Sequence, residues 1–392
     1  MDVTDREGLR VALVTAYPPS KTTLNEYGYH LARHLAAKPE VGELVILHDE
    51  VPEPVTDLPD RTRAVPAWRY GSVLNPVRIV RAVRASGADV VLVNAHFTSF
   101  AAGKVASALG LLAPALLRLG GTPVVVLLHN LVDTVDLEKA GFSSNRFLTR
   151  ILSFLGALVT MMVLTADKVC VTIPQYVDLL RNKYGARNVY LAPHGSFEEP
   201  DPVERDFQAT PRLLAFGKWG TYKRLEVLLD AHAVLRAQGM DVEVIVAGTD
   251  SHNAAGYLDG IKDRYRDLPG VSFTGYVAEE DVPRLFGSAT VAVFPYTSTT
   301  GSSGVLHQAG SYGCPVVLPD IGDLAEVIRT EGFEAVTFET GDAADLARAL
   351  RELLSDPAGM ASMGRANRAA ACGIPLADVV DWHLAHLQEC CG

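Results

Sequence analysis

Two lysines five positions apart, Lys218 and Lys223 in FGKWGTYKR, and a glycine and hydroxyl run, TSTTGSSGV over 297–305, are the residues best suited to hold an anion. The lysines follow an apolar strand pattern and lead into helical spacing. That sets two cations at a strand end, where open α/β sheets take their ligands. The run likewise follows apolar VAVF and opens a helical segment, so free backbone N–H groups and the positive end of a helix dipole face any anion there. Thr300, Gly301, Ser302, Ser303, Gly304 and Val305 make up this loop. Gln308, one turn on, has an amide oxygen able to accept a bond from a sugar hydroxyl. Taken singly, a lysine pair is ordinary solvated charge and serines ahead of a helix are ordinary caps. Their shared placement at strand ends favours a phosphate site.

The elements that position these groups alternate. Strand patterns at 11–15, 44–48, 90–94, 124–128, 168–172 and 189–192 are interleaved with helical spacing at 27–36 and 77–84. After the charged, proline-containing stretch 195–212, which reads as a linker, strand patterns return at 213–216, 243–247, 271–274, 291–294 and 315–318. Helical segments at 224–238, 254–267, 280–287, after 304 and at 342–354 separate them. This predicts two doubly wound parallel-sheet halves. A last helix is expected over 375–388.

Composition narrows the function. With 392 residues, 48% hydrophobic and 21% charged, the chain can bury two cores of ordinary size. A formal charge of −11 without a basic run excludes bulk phosphate neutralisation of nucleic acid. Five cysteines, two of them adjacent as Cys390-Cys391, have no metal spacing and suit a reducing compartment. The charged start MDVTDREGLR shows no apolar signal core, so a cytoplasmic protein is expected. Two apolar stretches, 105–119 and 147–166, are short for a bilayer span, and Arg150 interrupts the second. Each is able to lie against lipid on one face, which allows peripheral contact with the inner membrane face.

The ordered series YPPS, VNAHF, LLHN, PHG, FGKWGTYKR, VAGTD, FTGYV, VFPY, SSGVLHQAGSYGCPVV and LPDIG resembles the retaining glycosyltransferases of family 4. The resemblance implies the GT-B architecture, two Rossmann-like domains facing across a cleft. It places an acceptor domain at 1–195, a nucleotide-sugar donor domain at 196–373 and a helix at 374–392 returning to the first domain. It also implies transfer of a sugar from a nucleoside diphosphate to an acceptor hydroxyl with retention of configuration. Lys218 and Lys223 would clamp the diphosphate, Lys218 as a point charge where relatives carry a bidentate arginine. His129, at the end of PVVVLL, would reach the donor sugar. Gly217, Tyr276, Val277 and Val282 would lie against the donor, the last three near its base. Thr23 stands where many relatives have a glycine beside the phosphates.

Two departures from the family pattern matter. Thr300 and Gln308 occupy the places of two glutamates eight positions apart, and Ser303-Gly304-Val305 resembles the branch without them. No Asp-x-Asp stands at a strand end, and the lysines with the helix dipole can stabilise a diphosphate without a divalent ion, so no metal and no other cofactor is expected. The resemblance leaves the acceptor open among lipid-linked, saccharide and small-molecule hydroxyls. The rival readings are a nucleotide-sugar-binding protein that has lost catalysis, and an epimerase or phosphorylase on the same fold.

Overall fold

A computed structural model describes residues 8–131, 146–207, 209–251, 254–299 and 301–392. The chain forms two compact units, Met1–Phe197 with Leu376–Gly392, and Glu198–Pro375.

The first unit holds seven parallel strands: β1 (Leu9–Val14), β2 (Val41–Asp49), β3 (Thr62–Trp68), β4 (Val90–Ala95), β5 (Val124–Leu128), β6 (Lys168–Val171) and β7 (Val189–Leu191). Their order is β3-β2-β1-β4-β5-β6-β7, so the winding reverses between β1 and β4. β4 and β5 are buried at every residue, which explains why they read as unbroken Val/Leu runs. The helices are α1 (Asn25–Ala37), α2 (Asn75–Ser86), α3 (Lys104–Gly110), α4 (Ala113–Leu119), α5 (Arg146–Val163) and α6 (Pro174–Tyr184). α1 sits hard on the end of β1 because position 28 has no side chain. A Cβ there would lie 2.3 Å from both Thr15 Oγ1 and the Ala16 carbonyl.

The second unit holds six parallel strands: β8 (Arg212–Trp219), β9 (Glu243–Asp250), β10 (Val271–Gly275), β11 (Val291–Val293), β12 (Val316–Pro319) and β13 (Val336–Phe338). Their order is β10-β9-β8-β11-β12-β13, with the reversal between β8 and β11. The loops that leave the carboxyl ends of those two strands contain FGKWGTYKR and TSTTGSSGV. Around the sheet run α7 (Leu225–Ala237), α8 (Tyr257–Arg264), α9 (Val282–Ser288), α10 (Gly304–Ser311), α11 (Gly322–Glu331), α12 (Ala343–Leu354) and α13 (Pro357–Cys372). The closing helix α14 (Leu376–Cys391) packs on α1, β4 and β5 of the first unit. Asp381 pairs with Lys38 there, and Lys168 with Glu389.

Several elements escape the periodicity reading, among them α6 between the strands read at 168–172 and 189–192. β3 is an edge strand with Pro66 inside it, a position where proline removes no needed ladder bond. β13 has three residues, and α11 and α13 are rich in small or charged residues whose partners lie elsewhere in the chain. The segment read as a linker is also more than a spacer. Arg205 donates to the carbonyls of Phe286, Ala289, Tyr312 and Gly313, strapping it to the ends of α9 and α10. All five cysteines are free thiols.

The end of the β8/β9 pair is the tightest place in the second unit. Gly217 pairs with Gly248, and Gly248 has φ +110° with its missing Cβ only 1.9 Å from the Gly217 carbonyl oxygen. Gly248→Ala should therefore cost about 2 kcal/mol or more, read as a lower urea midpoint. Gly260→Ala, inside α8 with open space around it, should be neutral or stabilise by about 0.5–1 kcal/mol.

Candidate functional site

Beyond β8 the chain makes a tight turn in which Gly220 and Lys223 exchange backbone hydrogen bonds of 3.0 and 3.2 Å. Gly220 has φ +93° and Thr221 +50°, and Trp219 anchors the turn with its Nε1 donating to the Ala247 carbonyl at 3.0 Å. The turn is then sewn to the exit of β11. Arg224 N donates to Pro295 O (2.9 Å) and Thr297 N to Tyr222 O (2.8 Å), and Lys223 bridges to Tyr296.

This fixes the Lys223 side chain. Its Nζ lies 4.6 Å from the centre of the Tyr296 ring, and a Cβ at Gly217 would stand 3.0 Å from the same nitrogen. Among the described residues no carboxylate pairs with it. Burial therefore holds the Lys223 ammonium below the ordinary lysine value, with only the Tyr222 hydroxyl pulling the other way. Lys218, on the last turn of β8 beside Thr249, is half-buried. Arg224 is exposed and pairs with Glu226 at 2.9 Å.

The loop after β11 is fixed by contacts with α10 and α11. Ser303 caps α10, its side chain accepting from Leu306 N. Gly301, at φ +81°, donates its N–H to Asp323 at 2.8 Å. Thr299 bonds to the first turn of α11 through Ile321 O and Leu324 N, both at 3.3 Å. The Ser302 hydroxyl is buried without a hydrogen-bond partner among the described residues, a donor that a ligand at the helix N-terminus would satisfy. Gly304 and Val305 begin α10 and are half-buried, and Gln308 is buried one turn further on. Thr300 lies outside the described residues.

Behind the loop, His307 is buried. Its Nδ1 meets the Ser303 carbonyl at 2.9 Å and its Nε2 meets Glu331 at 2.7 Å. Burial alone would lower the imidazole, but Glu331 overrides it and holds His307 above its ordinary value of 6.5. Tyr276 is exposed beyond β10, Val277 is half-buried, and Val282 is buried at the start of α9.

The first-unit candidates sit differently. His129 is 4% exposed, and its Nε2 faces Asn94 Oδ1 at 2.7 Å. Asn94 uses its amide nitrogen to donate to Thr15 Oγ1 at 2.9 Å, so His129 must be the donor in that pair. Burial, then the neighbouring His194 and His96, hold it well below the ordinary histidine value. His96 is pushed to about 3 by burial, and His194 packs on Tyr27. Thr23 stands half-buried in the turn before α1, next to the Ser20, Thr22 and Asp49 cluster.

The two parallel-sheet units with this turn and loop at a winding reversal define a GT-B protein. Comparison with known proteins gives the family. Residues 210–356 match the model described as glycosyl transferases group 1, and residues 22–195 match the glycosyl transferase 4-like domain. The chain belongs to the family 4 glycosyltransferases. It is 27% identical over 251 residues to a phosphatidyl-myo-inositol mannosyltransferase of Propionibacterium freudenreichii, covering 62% of this chain and 58% of that one. It is 26% identical over 266 residues to a D-inositol 3-phosphate glycosyltransferase of Streptomyces avermitilis, covering 63% and 56%. Thus the chain spans little more than half the length of these curated relatives. A sucrose-phosphate synthase from Thermosynechococcus elongatus superposes with TM-score 0.76 at 19% identity, over 97% of this chain and 98% of that one. Anabaena Alr3699/HepE in complex with UDP-glucose gives 0.67 at 15%, over 97% and 100%.

Asp323 and Glu331 lie outside every quoted motif, and Gly248 in VAGTD and His307 in SSGVLHQAGSYGCPVV lie inside one without a role assigned to them. The His307–Glu331 pair yields a test. A histidine whose folded value is raised contributes stability that is complete below pH 6.5 and lost as pH climbs through the folded value. Glu331→Gln should therefore lower stability most below pH 6.5, by about 1–3 kcal/mol, read as a lower thermal midpoint, and the gap to the parent should narrow at higher pH.

Proposed function

We propose that the protein transfers a sugar from a nucleoside diphosphate donor to an acceptor hydroxyl, with retention at the anomeric carbon. The observation that carries this reading is Lys223, a desolvated lysine without a carboxylate partner among the described residues, tied by backbone bonds to the loop that opens α10. A cation so placed gains most from a ligand that develops negative charge, and departure of a nucleoside diphosphate develops charge on its phosphate oxygens. The N–H groups at the start of α10 and the Ser302 hydroxyl supply further donors to the same oxygens. Lys218 adds a second positive charge from the strand end. On this reading the charge is met by lysine and helix terminus, and a divalent ion is not required.

Retention on one face asks the departing phosphate to take the acceptor's proton as the new bond forms. His129 enters as a neutral hydrogen-bonding group, since burial keeps its imidazole uncharged. Two relatives whose names specify inositol-containing acceptors support a hydroxylated acceptor, and solved Alr3699/HepE complexes with UDP and UDP-glucose support the donor class. The buried Gln308, where many relatives have a glutamate, favours one second reading: binding of the donor without turnover.

Incubation with UDP-, GDP-, ADP- and dTDP-sugars, with and without EDTA, should find one donor that is cleaved in both conditions. Lys223→Ala should lower that rate about 10²–10³-fold while circular dichroism stays unchanged. Unaltered turnover in Lys223→Ala, or activity abolished by EDTA, would overturn the reading. Thermal stabilisation by a nucleotide without release in any acceptor mixture would favour the binding protein.

A further inference from the structure

Among the described residues twelve large apolar side chains stand exposed, and ten of them fall between positions 73 and 161. They belong to α2, α3, α4 and α5 and the turn before α2. α2 packs on α3 and α4, and α4 on α5, so these helices form one layer. Leu119 is 84% exposed, Val105 69% and Phe154 68%. On α5, Phe154, Leu155, Leu158 and Met161 follow one another at the spacing of a single helix face, while Thr160 and Val163 on the other face are buried. Scattered exposed apolar residues are ordinary, but ten concentrated in one layer mark a surface that meets something.

Charge selects the occupant. α2 to α5 carry seven lysines and arginines and no aspartate or glutamate, in a chain of net charge −11. Arg78 and Arg118 are partnered by Glu50 and Asp167, which come from outside these helices. Arg81 and Arg84 on α2 stand exposed. A second copy of the chain would set like charges against each other, because a twofold contact brings identical patches together. Anionic headgroups would instead meet the arginines while the apolar side chains entered the acyl boundary. Among the described residues no helix is long and apolar enough to cross a membrane. We propose that the α2–α5 layer is a docking surface for an anionic lipid bilayer, on which the protein lies in the plane of the interface. This surface is independent of the Lys223 site and stands whether or not the donor reading does.

The test is co-sedimentation of the full chain with vesicles of phosphatidylcholine, alone or with about 30% phosphatidylglycerol, in low and high salt. Binding should require phosphatidylglycerol and fall about tenfold in high salt. Phe154→Glu with Leu158→Glu should weaken it at least about tenfold, and Arg81→Glu with Arg84→Glu should remove the salt-sensitive part. Circular dichroism and the thermal midpoint establish that each variant is folded. If the α5 pair does not fold, Leu119→Ser, at an 84% exposed position, carries the same comparison. Failure of the parent to pellet with phosphatidylglycerol vesicles, or pelleting that folded variants leave unchanged, would overturn the proposal. So would a concentration-dependent dimer that the same substitutions dissociate while vesicles bind nothing.

Discussion

The second unit depends on one cation, Lys223, that the fold keeps half-buried with no carboxylate partner among the described residues. Burial disfavours its charge. Backbone hydrogen bonds hold it there, closing the turn on itself and onto the residues after β11. Because the restraint is main chain, the ammonium position does not rely on a side-chain partner that would compete with a ligand. A charge that burial disfavours gains from an anion placed beside it.

Everything around the turn serves that placement. Trp219 pins its start through Ala247, and glycines at 217, 220 and 248 admit backbone approaches that a side chain would block. Asp323 takes the Gly301 N–H, and Thr299 joins the same loop to α11. The buried His307–Glu331 pair secures the far side of α10. The loop is therefore a local product of one unit, set by β8, β11 and the helices that follow them.

Much of this was legible because strands buried on both faces read as continuous apolar runs and because anion loops use glycine and hydroxyl residues. The lysine spacing, the Ser303 cap and the two-unit division follow from such local patterns. Other features depend on what lies across the fold. Nothing near Glu331 in the chain signals a histidine 24 residues earlier, and nothing near Arg205 signals the carbonyls it reaches. His129 shows the same limit: a strand-end position does not reveal that Asn94 and Tyr27 enclose the ring. Pro66 hid an edge strand, since the periodicity argument treats proline as a break without knowing which side of the strand is open.

The central claim is that Lys223 and the α10 N-terminus hold a diphosphate, and calorimetric titration tests it most directly. The nucleoside diphosphate of the cleaved donor and the corresponding free nucleoside would each be titrated into the parent and into Lys223→Ala. The account predicts that the parent prefers the diphosphate by about 100-fold or more, and that most of this preference vanishes in the variant. Equal affinity for nucleoside and diphosphate in the parent, or a preference that survives loss of the lysine, would contradict it.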